Sequence, residues 1–447
     1  MGVRVEGPYR AVLGDTTLKV LLVTIGSRGD IQPYIALGVG LAASGHEVTV
    51  CTNEHFAGFV RAHGLTYGHM NNGFVDLITS LEGRAGLERM ASLPGTLLAV
   101  AKLLRQVGPM QQEMLDDAWR VAQEMRPDVV IFHPKVPGAV DMADALEVPS
   151  IMAPLFPQVV ATSAFPAVGF PDLPLGAGYR RLTYSIVETL TDRIGSGPIH
   201  KWRHANGLGP RPRLLGQLSD RHGRRLPVLH AFSSTVCPRP HDWPESAVAS
   251  GFWSLDGATG WAPPPALLDF LEAGPAPVYV GFGSMAGRNP ERLTSVVLQA
   301  LDRSGCRGVV ATGWGGLTKQ ALPENVFSLS DAPHDWLFPR VSAVVHHGGA
   351  GTTAAGLRAG QPTIICPFFA DQPFWGRRVA MLGAGPRPIA QKSLTAERLA
   401  EAILAATKNQ SMRNAAQEIR HRLHEERGVV SAVTWIERWM ESRASIA

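Results

Sequence analysis

The segment of this chain best suited to chemistry is Val344-Val345-His346-His347-Gly348-Gly349-Ala350-Gly351-Thr352-Thr353. An apolar strand runs into a glycine-rich turn, and the residue types predict a helix from about Thr352. Glycines let the backbone come close to a ligand, and a helix start offers free N–H groups at a positive dipole end. Such a turn suits a phosphate or pyrophosphate, and His347 at the strand end can donate a hydrogen bond to the same anion. An ordinary βα turn with buried histidines is the alternative. Two histidines, three glycines and two threonines within eight positions tip the balance to the anion site. No GxxxxGK[ST] motif is present, so the segment is not a P-loop.

Three further segments have the same strand-to-turn character. In Pro367-Phe368-Phe369-Ala370-Asp371-Gln372-Pro373-Phe374-Trp375, the adjacent Asp371 and Gln372 offer acceptors and donors that suit the vicinal hydroxyls of a sugar. The same pair could instead cap a helix that starts beside Pro373. In Gly26-Ser27-Arg28-Gly29-Asp30-Ile31-Gln32-Pro33 the third glycine of a dinucleotide-binding fingerprint is missing, which argues against a dehydrogenase. Asp30 could act as a general base or cap the following helix, and the residues alone favour the cap. Gly281-Phe282-Gly283-Ser284-Met285 is small enough to admit a diphosphate or its sugar, and serves equally well as a plain turn.

These segments need strands to carry them. Lys19–Ile25 is an apolar run that predicts a parallel strand buried on both faces, with a helix after it and a second strand over 47–51. Short strands are expected at 128–132 and 150–153, and a helix near 179–192. A second strand-and-helix series is expected through 277–282, 308–311, 341–345 and 363–366, followed by helices at 412–426 and 430–442. Six prolines between Cys237 and Pro265 read as a linker. The expected architecture is α/β, with two doubly wound Rossmann-like domains facing across a cleft. The expected parts are a tail over 1–18, a first Rossmann-like domain over 19–236, a linker over 237–265, a second Rossmann-like domain over 266–425 and a terminal helix over 426–447.

Length and composition agree with this and exclude other classes. The chain has 447 residues, enough for two or three domains, and its 45% hydrophobic and 18% charged residues exclude a mostly disordered protein. The 42 Lys and Arg against 38 Asp and Glu form no basic tail, so nucleic acid is not an expected partner, while contact with an anionic surface stays open. Cys51, Cys237, Cys306 and Cys366 are scattered without a CxxC pair, which speaks against a zinc ribbon or a disulfide scaffold and for a reducing compartment. With no apolar leader core and no uninterrupted run of about 18 apolar residues, a cytoplasmic location is expected.

Taken together, the four segments resemble the nucleotide-sugar glycosyltransferases with two Rossmann-like domains (GT-B type). Within them the chain is similar to the sterol glucosyltransferase branch with its bacterial relatives, and also to glycosyltransferases of glycopeptide antibiotics. The resemblance runs from Lys19 to about Trp439. It is carried by Gly26–Pro33, Ala332-Pro333-His334-Asp335-Trp336-Leu337-Phe338, His346–Thr353 and Pro367–Trp375. It also includes Val228–Ser233 followed by Pro238-Arg239-Pro240 and Asp242-Trp243-Pro244.

The resemblance implies inverting, metal-independent transfer of a hexose, glucose first, from a UDP-sugar to an acceptor hydroxyl, with no cofactor beyond that co-substrate. By position His347, Ala350, Gly351 and Thr352 would hold the diphosphate, with Ser284 nearby. Asp371 and Gln372 would bind the sugar, and Ala332 and His334 would lie by the base and ribose. Ser27 and Arg28 would approach the donor from the acceptor domain, and Asp30 would be the base. Plant relatives stack a tryptophan on uracil where this chain has Asp331, which leaves Trp314 as the candidate for that contact. Leu155, Phe156, Phe165 and Phe170 suggest an apolar acceptor wall, with a packed core as the alternative, and His133 is the next polar group beside it. A lipid-like hydroxyl-bearing acceptor, such as a sterol or polyketide, is expected, and peripheral membrane contact would follow if it resides in a membrane. The competing readings are a nucleotide-sugar epimerase and a non-catalytic lipid- or nucleotide-binding protein.

Overall fold

The computed structural model describes residues 17–73, 76, 96–136, 138–209, 218–220, 222–255, 257, 261–283, 290–312 and 322–444, with the backbone alone for 96–109, 193–195 and 444. The chain divides into two compact units. One runs to Ser234 and takes in Arg239–Leu255 and the residues from Arg427 on; the other comprises Thr235–Pro238 and Asp256–Glu426.

In the first unit β1 (Lys19–Val23), β2 (Glu47–Asn53), β3 (Thr66–Met70), β4 (Val129–Phe132), β5 (Ser150–Met152), β6 (Val228–His230) and β7 (Ala247–Ala249) form one sheet in the order β3-β2-β1-β4-β5-β6-β7. All of its pairings are parallel. Around it lie α1 (Arg28–Ala43), α2 (Ala57–Ala62), α3 (Thr96–Met125), α4 (Ala139–Ala145) and α5 (Gly176–Ala205). In the second unit β8 (Val278–Gly281), β9 (Gly308–Ala311), β10 (Val326–Leu329), β11 (Ala343–His346) and β12 (Thr363–Ile365) pair in the parallel order β10-β9-β8-β11-β12. Its helices are α6 (Pro265–Glu272), α7 (Pro290–Ser304), α8 (His334–Leu337), α9 (Ala350–Arg358), α10 (Gln372–Met381), α11 (Ala396–Lys408) and α12 (Gln410–Glu425). The last helix, α13 (Gly428–Ala444), belongs to the first unit, where Ala432, Val433 and Ile436 enter the same core as Val20 and Leu22.

The apolar runs are strands because their sheets are covered on both faces. Along β1 the side chains alternate, with Val20 and Leu22 in one core and Leu21 and Val23 in the other. Each fully buried leucine is worth about 1.5–3 kcal/mol relative to exposure. The same alternation holds in the second unit, where Val278 and Val280 pack on one face and Tyr279 on the other.

The structure adds strands that the sequence reading lacked. β3 and β10 are short and carry polar residues, so no apolar run marks them. β7 lies inside the stretch expected as a linker, as the outer neighbour of β6. The helix expected near 179–192 is 30 residues long, and α9 starts at Ala350 rather than Thr352.

Candidate active site

Each sheet reverses its strand order at one place, between β1 and β4 in the first unit and between β8 and β11 in the second. Loops beyond the carboxyl ends of such a pair diverge and leave a crevice for a ligand. Asp30 and His133 lie at the first of these points, and His347 with the start of α9 at the second.

In the second unit β11 ends at His346 and the chain turns through His347, Gly348 and Gly349 into α9. His346 is buried, and its Nδ1 accepts the Gly348 N–H at 2.9 Å, so this ring shapes the turn. Burial and the neighbouring His347 and His334 hold it well below the usual imidazole range. Gly348 has φ +97°, and a Cβ there would stand 2.6 Å from Ile365 Cγ2 and 3.1 Å from the Gln372 carbonyl. Only glycine lets the turn lie against β12 and the start of α10. The His347 ring sits between Gly349, where a Cβ would lie 2.7 Å from His347 Nε2, and Gly283, where it would lie 3.5 Å from Cε1. His347 Nδ1 is buried without a hydrogen-bond partner among the described residues. Burial, and then His334, push its pKa down to about 4, so the ring is neutral near pH 7.

Beside this ring the first turn of α9, with Ala350, Gly351 and Thr352, brings unsatisfied backbone N–H groups and a positive dipole end. A Cβ at Gly351 would meet nothing within 4 Å, so the approach is open. Ring, turn and helix end together suit a multiply charged oxyanion.

The Asp371–Gln372 pair is partly committed to local structure. Gln372 Oε1 accepts the N–H groups of Phe368 (2.7 Å) and Phe369 (3.3 Å), which braces a turn whose Ala370 has φ +57°. Asp371 is the N-cap residue of α10, yet its Oδ2 accepts Trp375 Nε1 at 2.9 Å rather than a backbone N–H. His334 opens α8 and stacks on Phe338 with centroids 4.3 Å apart, next to Tyr279. Ala332 is packed in the core with Leu337 and Phe338. Ser284 and Trp314 lie outside the described residues.

In the first unit the β1–α1 turn is built around Asp30. Gly26 has φ +135°, and a Cβ there would fall 2.2 Å from Asp30 Oδ2, so glycine alone allows the carboxylate to fold back. Oδ2 accepts from the Ser27 N–H (2.8 Å) and the Ser27 hydroxyl (3.1 Å), which makes Asp30 the capping-box partner of Ser27, the N-cap residue of α1. Oδ1 faces the end of β4, where Lys135 Nζ donates at 2.6 Å and His133 Nε2 stands at 3.7 Å. The two roles left open by the residues are thus divided between the two oxygens of one carboxylate. Burial raises the Asp30 pKa, but the Lys135 ammonium, then the His133 ring and the hydrogen bonds from Lys135 and Ser27, outweigh it. The carboxyl is held below its ordinary value and is ionised at neutral pH.

His133 is fully buried, and its Nδ1 accepts the Lys135 N–H at 3.1 Å. The proton of the neutral ring therefore sits on Nε2, facing Asp30, and burial followed by Lys135 pushes the pKa down to about 3. In this tautomer His133 is a donor and not a base. Lys135 went unnoticed in the sequence because 105 positions separate it from Asp30, and the β1–β4 pairing alone brings them together. Ser27 is exposed at the turn, whereas Arg28 bonds Gln32 at 3.2 Å and lies over the Phe59 ring. Of the expected acceptor wall, Leu155 is core, with Phe156 packed against the same cluster. Phe165 and Phe170 are half-buried in the chain leading to α5.

Comparison with known proteins places the two units. Residues 20–164 match the glycosyltransferase family 28 N-terminal domain, and residues 309–427 match the erythromycin biosynthesis protein CIII-like C-terminal domain. The glycosyltransferase of kitacinnamycin has the same fold, with a TM-score of 0.68 at 21% identity over 94% of this chain and 99% of that one. So does the spinosyn forosaminyltransferase, with a TM-score of 0.66 at 18% identity over 95% of this chain and 100% of that one. Fold and domain matches define the class as the GT-B glycosyltransferases, built from two Rossmann-like domains. Within it the chain is a relative of the sterol 3-beta-glucosyltransferases. It is 35% identical to that of Emericella nidulans, over 95% of this chain and 30% of the relative. It is 34% identical to that of Saccharomyces cerevisiae, over 99% of this chain and 37% of the relative. The chain thus spans about a third of the length of these relatives.

Proposed function

We propose that the protein is an inverting glycosyltransferase that moves glucose from UDP-glucose to a hydroxyl of an apolar, sterol-like acceptor. The observation that carries this reading is the complementary chemistry at the two switch points. One holds an anion-receptive helix end beside His347, and the other holds an ionised carboxylate with one oxygen clear of the capping turn. The names of the sequence relatives support the sterol and the glucose.

In this mechanism Asp30 takes the proton of the acceptor hydroxyl while that oxygen attacks the anomeric carbon. The bond from the anomeric carbon to the phosphate oxygen breaks on the opposite face, and UDP leaves with its electron pair. The α9 N–H groups and His347 stabilise the charge that grows on the diphosphate. Asp371 and the remaining amide of Gln372 orient the sugar hydroxyls. Lys135 keeps Asp30 ionised, and His133 Nε2 stands 3.7 Å from the same oxygen. A carboxylate is a weak base toward an alcohol, so the proton moves late, once the new bond has acidified the hydroxyl. These protein groups meet the leaving group's charge, so the proposed transfer needs no metal.

The test is incubation of the full chain with UDP-glucose or TDP-glucose and a panel of sterols, polyketides and flavonoids, with and without EDTA, read by mass spectrometry. A glucosylated sterol that forms equally in chelator is the expected product. Free epimerised sugar nucleotide without transfer, or activity lost in EDTA and restored by magnesium, would contradict the scheme.

A further inference from the structure

Asn53, the last residue of β2, is fully buried, and its side-chain amide is hydrogen-bonded at both ends. Oδ1 accepts the Gly26 N–H at 3.2 Å, and Nδ2 donates to the Asn71 carbonyl at 3.1 Å. A backbone N–H can only donate and a carbonyl can only accept, so these partners fix which way the amide points. A buried amide costs free energy unless both ends are satisfied. Here each end reaches the turn after a neighbouring strand. Gly26 lies after β1 and Asn71 after β3, the two strands that flank β2.

The line continues on both sides. Asp117 on α3 holds Asn71 from behind, since its Oδ2 accepts the Asn71 N–H at 3.0 Å and Asn71 Nδ2 at 3.2 Å. Asn71 Oδ1 accepts the Gly73 N–H at 3.0 Å. On the other side, Gly26 is the residue whose missing Cβ lets the Asp30 carboxylate fold back, and the next N–H in the chain, that of Ser27, binds Asp30 Oδ2 at 2.8 Å. The peptide between them is planar, so holding the Gly26 N–H restrains the Ser27 N–H as well. Thr24, also fully buried, donates its hydroxyl to the Asp30 carbonyl at 3.1 Å. A polar line thus crosses the carboxyl ends of β3, β2 and β1 in sheet order and ends on the Asp30 oxygen that faces away from Lys135. Lys135 and His133 face Asp30 from the end of β4, and Tyr34 faces it from α1, with its hydroxyl donating to the Ala153 carbonyl at 2.6 Å.

We propose that Asn53 is a positioning residue for the Asp30 carboxylate, a role that rests on the reading of Asp30 as the base. Asn53 carries no charge and does not bond the carboxylate. It acts through Gly26 and Ser27: with their N–H groups held, Oδ2 is pinned and Oδ1 stays turned toward Lys135 and the acceptor hydroxyl. Without the amide, the Gly26 N–H and the Asn71 carbonyl lose their partner, and the turn is no longer tied to β2 and β3. A displacement of about 1 Å at a reacting group can cost ~10²-fold in rate. An amide that served only to tie the strand ends would leave the protonation of Asp30 untouched.

The test is single-turnover transfer from UDP-glucose to cholesterol by the full chain, followed across pH in wild type, Asn53→Ala, Asp30→Asn and the double variant. Asn53→Ala should slow transfer by about 10- to 100-fold with UDP affinity unchanged. The acid limb of its rate profile should move to higher pH although no charge has been removed, because the contacts from Lys135 and Ser27 that hold the Asp30 pKa down are loosened. The double variant should be no slower than Asp30→Asn, since the two residues act on one step. Asn53→Ser leaves a hydroxyl for one of the two backbone groups, so it should keep the fold even where Asn53→Ala does not, and shift the limb the same way by less. A lowered melting temperature with the acid limb in place in both variants would overturn the proposal, as would a double variant in which the two losses multiply. Normal transfer by Asp30→Asn would overturn the base and this role with it, whereas a slow Asp30→Asn beside a normal Asn53→Ala would overturn the role alone.

Discussion

At the scale of single residues, one oxygen of the Asp30 carboxylate shapes its turn and the other, paired with Lys135, is the proposed base. Asp30→Asn keeps an oxygen for Ser27 and removes the basicity, so single-turnover transfer should fall by ~10²–10⁴-fold while UDP affinity is retained. Because the folded pKa is depressed, the carboxylate stabilises the protein above its unfolded value near ~3.9, and this contribution is lost as pH falls through the folded pKa. The melting temperature of Asp30→Asn should therefore lie below wild type at pH 7 and converge with it in strong acid. Lys135→Met removes the main charge that depresses this pKa. The acid limb of the kcat/KM profile should then move to higher pH, whereas a Lys135 that only filled space would leave the limb in place. His347 is the matching residue in the second unit. His347→Ala should cost roughly 1.5–3 kcal/mol of UDP affinity by calorimetry, the worth of a hydrogen bond to a charged group. A diphosphate bound beside this ring would raise its pKa from about 4. UDP affinity should thus strengthen on acidification from pH 7 to 5 more in wild type than in His347→Ala.

At the scale of elements, both sites depend on βα turns that only glycine can make. Gly348 combines a positive φ with contact against Ile365 and Gln372, so the turn after β11, β12 and the start of α10 are held as one piece. Gly348→Ala should destabilise the second unit by ~1–3 kcal/mol and weaken UDP binding in parallel, read by urea unfolding and calorimetry. A variant with lowered stability and intact UDP affinity would show that the turn does not position the ligand. The strands that carry these turns were the legible part of the sequence. Val20–Val23 and Val344–Val345 are apolar without interruption because both faces of their sheets are covered. Thr66–Met70 is an outer strand with exposed positions and a glycine, and no period marks it.

At the scale of the whole chain, the path returns on itself, for the last helix completes the first unit. The start of α13 lies against the backbone of Phe252, where a Cβ on Gly428 would be 2.2 Å from the Phe252 carbonyl. Further along, His46 Nε2 donates to Glu437 Oε1 at 3.2 Å, while its Nδ1 accepts the Leu18 N–H at 3.3 Å. Both side chains are buried. Glu437→Ala would leave a buried N–H without a partner and should cost about 1–3 kcal/mol in the first unit, whereas Glu437→Gln keeps an acceptor and should cost much less. Chemical unfolding of the two variants checks this, and equal losses would mean that packing rather than the hydrogen bond holds α13.

The sequence by itself determined the fold class, the paired strand-and-helix series and the glycine-bearing turns after the strands. Local chemistry suffices there, because apolar runs, glycines and helix-start residues act on their near neighbours. Tertiary structure decided which side chains share a site. Lys135 reaches Asp30 across 105 positions through strand order alone, and Leu155 became core once β6 and its neighbours covered it. Arg28 turned to Gln32 and Phe59, and Gln372 spent its oxygen on the turn before α10. Side-chain partners are set by contacts distant in the chain, and residue type and spacing carry no record of them.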